Sequence, residues 1–428
     1  MEPERRRCKE HSDEEQVEEF TKEIGNTRMQ TYQIDFYDNF RCIASECPYT
    51  CCKGWGLLVD DKTYANMRKE KGKLGWMLRL FTRVDVENGA VLRTVGGKCP
   101  FLEKDGLCQL QKAGRKELVS DICNLYPRRS ISYGSICEVS LELSCVHAAE
   151  LFLKDIRRHA FVERQADGGL QDTELEKTKP YYEVKNNDPE FLAHLMKDRE
   201  IILDFLWKGS GSIGEEPFAL LNKMQDILDY AYVKQNYFGR NQQAFAEAVK
   251  LPVGELEIQK WQETGEFWRN RTEETRMIFP FLLLNELIYG RLSYTCTPKR
   301  NPVMHELITT YKKQFGGLYE KEAEGFWREK WKELCKEYPN MPQIVLAYES
   351  YLVQQTYCGA YETYYLIGPV ILTSVCIELL MLFLVVAFGD GQDLREKRMA
   401  SMIAGLERAI RHSKSFEKEV LELFRNKK

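Results

Sequence analysis

Cysteine is concentrated in one part of this chain. Nine of its fourteen cysteines lie between positions 42 and 145, and four of those nine occupy positions 42 to 52. The nine are Cys42, Cys47, Cys51, Cys52, Cys99, Cys108, Cys123, Cys137 and Cys145. Adjacent thiols such as Cys51 and Cys52 rarely arise from packing alone, so the group calls for a chemical explanation. Disulfide bonds, structural zinc and an iron–sulfur cluster are the three available.

The surrounding sequence disfavours disulfide bonds. The first 22 residues are highly charged and contain no apolar segment of the kind that directs secretion, so we expect a cytoplasmic protein. Thiols in the cytoplasm stay reduced, and clustered thiols there more often bind metal. A chain of 428 residues can also build an ample core without covalent staples.

The spacing of the thiols leaves zinc and iron–sulfur both open. Structural zinc usually shows two short knuckles of the form Cys-x2–4-Cys, and only Cys47 and Cys51 have that spacing here. The only histidine among these cysteines is His147. Thiols drawn from dispersed loops are typical of a four-cysteine cluster. Spacing alone therefore favours iron–sulfur only modestly.

Several short motifs resemble those of one known family. They are Phe40-Arg-Cys42, Cys47, Cys51-Cys52-Lys-Gly54-Trp55, Cys99-Pro-Phe-Leu102, Gly106-Leu-Cys108, Cys123-x-x-Tyr126-Pro-Arg128, Leu143-Ser-Cys145 and Leu406-Glu-Arg408-Ala-Ile-Arg411-His412. Together they resemble the flagellin lysine-N-methylase (FliB) family, from about Phe36 to His412. After Cys145 the chain has Val146-His147, where we expect a proline and an acidic residue in that family.

This resemblance implies an enzyme that moves a methyl group from S-adenosylmethionine to lysine side chains of flagellin or a similar surface protein. It also implies a [4Fe–4S] cluster, which needs four thiolates. The candidate ligands are the eight cysteines in the motifs: Cys42, Cys47, Cys51, Cys52, Cys99, Cys108, Cys123 and Cys145. We expect the isolated cysteines to be core residues: Cys137, Cys296, Cys335, Cys358 and Cys376. The hypothesis from another class is a non-catalytic metal-binding or redox-sensing module joined to a partner-binding domain.

Three further residues are candidates for the chemistry of methyl transfer. Tyr126 and Arg128 are the candidate catalytic residues: Tyr126 would act on the lysine amine, and Arg128 would pair with the carboxylate of S-adenosylmethionine. Trp55 and Arg128 are the candidate cofactor-binding residues, since a sulfonium is stabilised by an aromatic face. Each has a structural alternative that we favour: Trp55 covers the cluster, and Arg128 neutralises the charge of the thiolates.

Two other signatures are absent or lack their context. The Cys-x3-Cys-x2-Cys motif of radical S-adenosylmethionine enzymes does not occur among the clustered cysteines. Residues 209–214 match G-x-G-x-x-G, but helical spacing on both sides predicts a turn between two helices. A nucleotide-binding loop requires a strand before that motif, so we do not expect one here.

The organisation of the chain predicts a mainly α fold. We expect a charged tail (residues 1–27), a cysteine-rich N-terminal α+β metal-binding module (28–150), a polar connection (151–188) and a large helical domain (189–428). Within that domain, the periodicity predicts single helices over residues 361–388 and 393–425. Residues 132–139 alternate as in a strand.

Charge and hydropathy limit the partners. A net charge of −4 lacks the basic excess of a nucleic-acid binder, which leaves a protein substrate as the expected partner. Residues 366–389 are apolar and long enough to span a membrane. They include Glu378, however, and a carboxylate in mid-membrane is costly. We therefore predict a buried core helix rather than a membrane span.

Overall fold

A computed structural model describes residues 30–54, 56–85, 89–164, 182–184, 188–208, 218–237, 281–411 and 414–426. Trp55, the glycine-rich segment 209–214 and most of the predicted connection lie outside the described residues. Helices predominate in the described part, as predicted for a mainly α chain. The metal-binding role of the N-terminal module stays a prediction.

The described strands form two sheets. The strands are β1 (Gln30–Ile34), β2 (Leu57–Val59), β3 (Thr82–Asp85), β4 (Gly89–Leu92), β5 (Arg128–Tyr133), β6 (Ile136–Leu141), β7 (Phe161–Glu163) and β8 (Tyr182–Glu183). A five-stranded mixed sheet has the order β7-β1-β6-β5-β8, with β1 parallel to β6 and β8 parallel to β5. A small antiparallel sheet has the order β2-β4-β3.

A tight hairpin replaces the single strand predicted over residues 132–139. Tyr133 pairs with Ile136, so Gly134 and Ser135 form a two-residue turn between β5 and β6. Gly134 has a φ of 72°, which only glycine adopts without strain and which suits hairpin turns with glycine first. The alternation of the sequence therefore runs through a turn. Cys137 is buried in β6, as predicted.

The described part of the chain contains many α-helices, and several of them pack around one central helix. The α-helices are α1 (Asp61–Lys69), α2 (Gly72–Phe81), α3 (Gln109–Lys112), α4 (Asp121–Leu125), α5 (Val146–Leu153), α6 (Pro189–Trp207), α7 (Phe218–Tyr237), α8 (Phe281–Glu286), α9 (Ser293–Thr295), α10 (Pro302–Phe315), α11 (Glu320–Glu337), α12 (Met341–Thr356), α13 (Ala360–Thr363), α14 (Ile367–Gly389), α15 (Glu396–Arg411) and α16 (Lys414–Asn426). Short 3₁₀ turns span Tyr37–Asn39, Ala44–Glu46, Lys116–Leu118 and Tyr357–Gly359, and a π-helix spans Leu287–Leu292.

The central helix is α14. It is the one helix of the described chain long and apolar enough to cross a membrane, and 94% of its most apolar window is buried inside the protein. It packs against helices that include α7, α10, α11, α12 and α16. A helix that is apolar on all sides is suited to such a position. Its burial favours the predicted core helix over a membrane span.

One of the helices predicted as continuous is divided, that over residues 361–388. Tyr364 adopts a left-handed backbone conformation (φ 51°), which ends α13 before α14 begins. The helix predicted over residues 393–425 corresponds to α15 and α16, and residues 412–413 between them lie outside the described chain. The prediction of helices on both sides of residues 209–214 is confirmed by α6 and α7.

The buried side chains form a large core and a small one. The large core joins the five-stranded sheet to the helices from α5 onward, so it crosses the predicted boundary at residue 150. A buried ion pair links this sheet to the helices. Arg199 of α6 donates to both carboxylate oxygens of Glu138 in β6, at 2.6 and 3.0 Å. The small core lies between the three-stranded sheet and α1, α2 and α3. Cys52, Cys108 and Cys123 pack against it, and Cys99 belongs to it.

Candidate functional site: a cavity lined by thiols and arginines

A cavity of about 490 Å³ lies beside the small core. This volume is within the range of small-molecule sites. Six of the eight cysteines predicted as ligands line it: Cys42, Cys51, Cys52, Cys99, Cys108 and Cys123. None of the thirteen cysteines in the described chain forms a disulfide bond, so these thiols are free.

Four of the lining thiols form one electrostatic group. Burial and then the neighbouring thiols of Cys52, Cys99 and Cys108 raise the pKa of Cys123. Burial, together with the neighbouring thiols of Cys52 and Cys108, raises the pKa of Cys99 to about 12. The thiols of Cys52, Cys99, Cys108 and Cys123, called here the four-thiol group, thus share a common surrounding. Thiols so placed favour a cation that would neutralise several thiolates together.

Cys51 and Cys52 act as a hydrogen-bonded pair. The hydrogen bond from Cys51 lowers the pKa of Cys52 to about 6. The same bond raises the pKa of Cys51, because its proton is held between the two sulfurs. Cys42 and Cys123 also lie near Cys51. Cys51 therefore stands between the four-thiol group and the more exposed Cys42.

Backbone hydrogen bonds align the loops that carry the four-thiol group. The amide of Cys99 donates to the carbonyl of Cys52 (2.8 Å), which fixes two distant parts of the sequence side by side. The amide of Gln109 donates to the carbonyl of Phe101 (2.8 Å), which sets Cys108 opposite Leu102. These pairings convert irregular sequence spacing into proximity.

Asp60 positions the fourth thiol. It is the N-cap of α1, where Oδ1 accepts from the amide of Thr63 (2.8 Å). Its Oδ2 accepts from the amide of Asp121 (3.0 Å) and from the hydroxyl of Ser120 (3.3 Å), at the start of the helix that carries Cys123. Burial raises the pKa of Asp60, but these hydrogen bonds outweigh it and hold the pKa below the ordinary value. One carboxylate thus ties α1 to the Cys123 loop.

Two of the predicted ligands, Cys47 and Cys145, do not line the cavity. Cys47 has Cys42, Cys145 and Arg408 as electrostatic neighbours. Arg408 of α15 donates to the carbonyls of Ser144 (2.8 Å) and Tyr49 (2.9 Å). It therefore binds both thiol-bearing loops to the C-terminal helix, which gives a structural reason for the C-terminal motif.

Tyr126 and Arg128 line the same cavity. Burial raises the pKa of Tyr126 well above 10, and its hydroxyl lies 3.0 Å from the Ser144 hydroxyl. That environment favours a hydroxyl over a phenolate base. The guanidinium of Arg128 lies over the rings of Phe40 (5.1 Å) and Tyr37 (5.7 Å) and donates to the carbonyl of Phe40 (3.3 Å). These contacts attach Arg128 to the segment that precedes Cys42, and both roles considered for Arg128 stay predictions.

The cavity also has a charged region that contains no cysteine of the four-thiol group. Arg129 follows Arg128 in β5, and Arg411 ends α15; both line the cavity together with Glu142. Burial and the positive charge of Arg411 lower the pKa of Arg129, although Glu142 opposes this effect. The positive charge of Arg411 is better compensated, because its Nε lies 3.5 Å from a carboxylate oxygen of Glu407.

The arrangement of the cavity's thiols can be compared with what zinc and a four-iron cluster each require. Within the described chain, no three or more His, Cys, Asp or Glu side chains converge closely enough to hold one metal ion. Zinc requires that convergence, because its four ligands point to one atom. Ligands of a four-iron cluster instead border a common space. The four-thiol group borders such a space.

Sequence reasoning missed several residues of this site. Arg129, Glu142 and Asp60 lie in no motif that marks them, and Arg411 was only part of a resemblance. The available signal was a pair of arginines three residues apart on a helix, Arg408 and Arg411, which places both on one face. Trp55, predicted beside the first thiols, lies outside the described residues.

Comparison with known proteins gives partial matches. The chain is 28% identical over 137 residues to the flagellar biosynthetic protein FliU of Salmonella muenchen, which is 31% of this chain and 81% of that protein. It is 28% identical over 135 residues to the lysine-N-methylases of Salmonella choleraesuis and Salmonella typhimurium, 30% of this chain and 34% of each of them. No family model matches the chain, and no solved structure matches it. The chain thus aligns with about a third of the length of each of the two methylases. This similarity supports at most a distant relationship to a FliB-like family.

Proposed function

We propose that this protein is a lysine N-methyltransferase that uses S-adenosylmethionine and modifies lysine side chains of flagellin or a similar surface protein. The observation that carries the proposal is the convergence of thiols and arginines on one cavity. The distant lysine-N-methylase relatives support the reaction class. The methyl acceptor is taken from the resemblance of the motifs.

The four-thiol group is the proposed ligand set of a [4Fe–4S] cluster. Cys99 and Cys123 are electrostatic neighbours of the other members, all four border one cavity, and a backbone hydrogen bond joins Cys99 to Cys52. When bound, such a cluster supplies either electron transfer or a rigid tie between the loops that carry its ligands. In this proposal Cys42, Cys47, Cys51 and Cys145 are neighbours of the cluster and not its ligands.

The reaction sets clear demands on the protein. The lysine nitrogen forms a bond to the methyl carbon with its lone pair, the carbon–sulfur bond breaks, and the nitrogen releases a proton. The lysine must therefore arrive neutral, which a partly desolvated cavity favours because burial lowers an amine's pKa. The Tyr126 hydroxyl and the Glu142 carboxylate border this cavity and are the groups available to orient the amine. Holding the reacting atoms in line removes much of the entropic cost.

The test is anaerobic incubation of the protein with S-adenosylmethionine, labelled in the methyl group, and purified flagellin. We expect label on lysine side chains, located by peptide mass spectrometry. Cys99→Ala should abolish labelling, whereas Cys335→Ala, which removes an isolated buried thiol of α11, should retain it. Metal in the protein with no methyl transfer to any protein would contradict the proposal and favour the non-catalytic metal-binding or redox-sensing alternative.

A further inference from the structure

We infer that Arg129, Arg411 and Glu142 bind the zwitterionic amino-acid end of the small ligand that occupies the thiol cavity. The inference rests on the proposed function, in which this ligand is S-adenosylmethionine. It adds the residues that recognise the carboxylate and the ammonium of the methyl donor. Sequence reasoning had considered only Arg128 for the carboxylate.

The positive charge of Arg129 is only partly compensated, by the nearby carboxylate of Glu142. No carboxylate of the described chain forms an ion pair with Arg129, and its nearest polar contact is the amide oxygen of Gln355 at 3.4 Å. Gln355 is itself engaged, because its Oε1 accepts from the hydroxyl of Ser140 at 2.9 Å. A buried cation without an ion-pair partner destabilises the fold unless an anion binds beside it.

The position of Arg129 lets an anion reach it. Its side chain is surrounded by protein, yet the residue keeps an accessible surface because it borders the cavity. Arg411 has the same combination, with 18% of its side chain accessible. Arg411 is also the strongest electrostatic neighbour of Arg129. Two like charges held side by side at a cavity wall favour a carboxylate that bridges them.

Glu142 selects the kind of anion. It lies near both arginines and borders the same cavity. A phosphate or sulfate between the arginines would meet the repulsion of this carboxylate. An amino-acid group would not, because its ammonium can pair with Glu142 while its carboxylate pairs with the arginines. The charge pattern therefore fits a zwitterion better than a simple anion.

The arginine region and the four-thiol group have different electrostatic neighbours. The strongest electrostatic neighbours of Cys123 are Cys52 and Cys99, whereas those of Arg129 are Arg411 and Glu142. If the arginines served to neutralise the charge of a cluster, they would be among the strongest electrostatic neighbours of the thiols. A ligand whose amino-acid end lies at the arginines would keep the rest of its length within the cavity.

The test compares two ligands that differ only in the carboxylate: S-adenosylmethionine and decarboxylated S-adenosylmethionine. Both are titrated anaerobically into the purified protein by calorimetry, with no methyl acceptor present. In the wild-type protein we expect loss of the carboxylate to weaken binding about 30- to 100-fold, as for a charged hydrogen-bonded contact. In Arg129→Gln and in Arg411→Gln the two ligands should differ less than about threefold, mainly because S-adenosylmethionine binds more weakly.

The control is Arg395→Gln, which removes an arginine whose side chain is 86% exposed. It should keep the wild-type difference between the two ligands. Equal affinity of the wild-type protein for both ligands would overturn the inference and leave the proposed function intact. Equal loss of affinity for both ligands in Arg129→Gln would also overturn it, because the arginine would then act on the fold or the cluster. If neither ligand binds the wild-type protein, the proposed use of S-adenosylmethionine itself fails.

Discussion

The two hydrophobic cores of this protein differ in how they are held together. The large core buries a five-stranded sheet, a fully enclosed helix and the helices around it. Among the described residues, the small core has eleven that are buried, and three partly buried cysteines pack against it. A core of that size rarely sustains a fold alone, and small domains commonly depend on a metal or covalent bonds. The comparison indicates that the thiols are part of the small core's stability as well as its chemistry.

The two cores also differ in what their cysteines do. The cysteines of the large core at positions 137, 296, 335, 358 and 376 are buried singly, as small apolar residues. Those at the small core border one cavity. The same residue type thus has a packing role in one region and a proposed ligand role in the other. The predictions below separate these roles.

Removal of iron should have the largest effect, and only in the small core. After anaerobic chelation, amide hydrogen exchange in residues 57–59, 61–69 and 72–81 should accelerate on the order of ten-thousandfold, or about 5.5 kcal/mol. Exchange in α14 should change little, because the large core has no proposed ligand. Uniform acceleration in both cores would show that the regions are not independent.

Breaking the buried ion pair should act on the large core. Arg199→Met leaves the Glu138 carboxylate buried without its bidentate partner, and we expect a loss of about 4 kcal/mol in the free energy of unfolding. Denaturant titration measures this loss. The iron content of the folded variant should stay at the wild-type level. A parallel loss of iron would contradict the separation of the two regions.

Glu349 should make the large core sensitive to pH. It is fully buried in α12, neither of its oxygens has a hydrogen-bond partner among described residues, and burial raises its pKa to about 8. The folded protein then keeps a proton that the unfolded chain releases, so stability falls as the pH rises from about 4.5 to about 8. Glu349→Gln should remove this decline, a gain on the order of 2–4 kcal/mol at pH 8 relative to pH 5.

Thermal or denaturant unfolding at several pH values measures the effect of Glu349. The matched control is Glu333→Gln, which changes a half-exposed carboxylate of α11. It should leave the pH dependence of the wild-type protein unchanged. Parallel pH profiles for wild type and Glu349→Gln would mean that Glu349 is ionised in the folded protein.

Loss of one helix cap should have the smallest effect and should again separate the regions. Asp60→Ala and Asp188→Ala each remove an N-cap, of α1 and α6 respectively, and each should cost about 1 kcal/mol. Only Asp60 also holds the Cys123 loop, through Ser120 and Asp121. Asp60→Ala should therefore lose iron faster on chelator challenge, while Asp188→Ala should match the wild type. Equal rates of iron loss in the two variants would show that Asp60 does not help to hold the Cys123 ligand.

The sequence predicted regular features well and long-range groupings poorly. The apolar run of α14 and the isolated core cysteines were evident because burial shows directly in composition. The break at Tyr364 was not, since tyrosine carries no signal for a left-handed conformation. The eight motif cysteines were found by their spacing and resemblance, but their division into groups depends on loop pairings such as Cys99 with Cys52. Arg129 and Arg411 are 282 positions apart, and only the fold brings them together.

The most direct test of the central claim is iron and acid-labile sulfide analysis of anaerobically purified wild type and single cysteine variants. We expect about four irons and four sulfides per chain in the wild type. Replacement of Cys52, Cys99, Cys108 or Cys123 by alanine should remove most of both, whereas Cys47→Ala and Cys335→Ala should retain them. Zinc without sulfide in the wild type, or loss of iron in Cys47→Ala with retention in Cys99→Ala, would contradict the account.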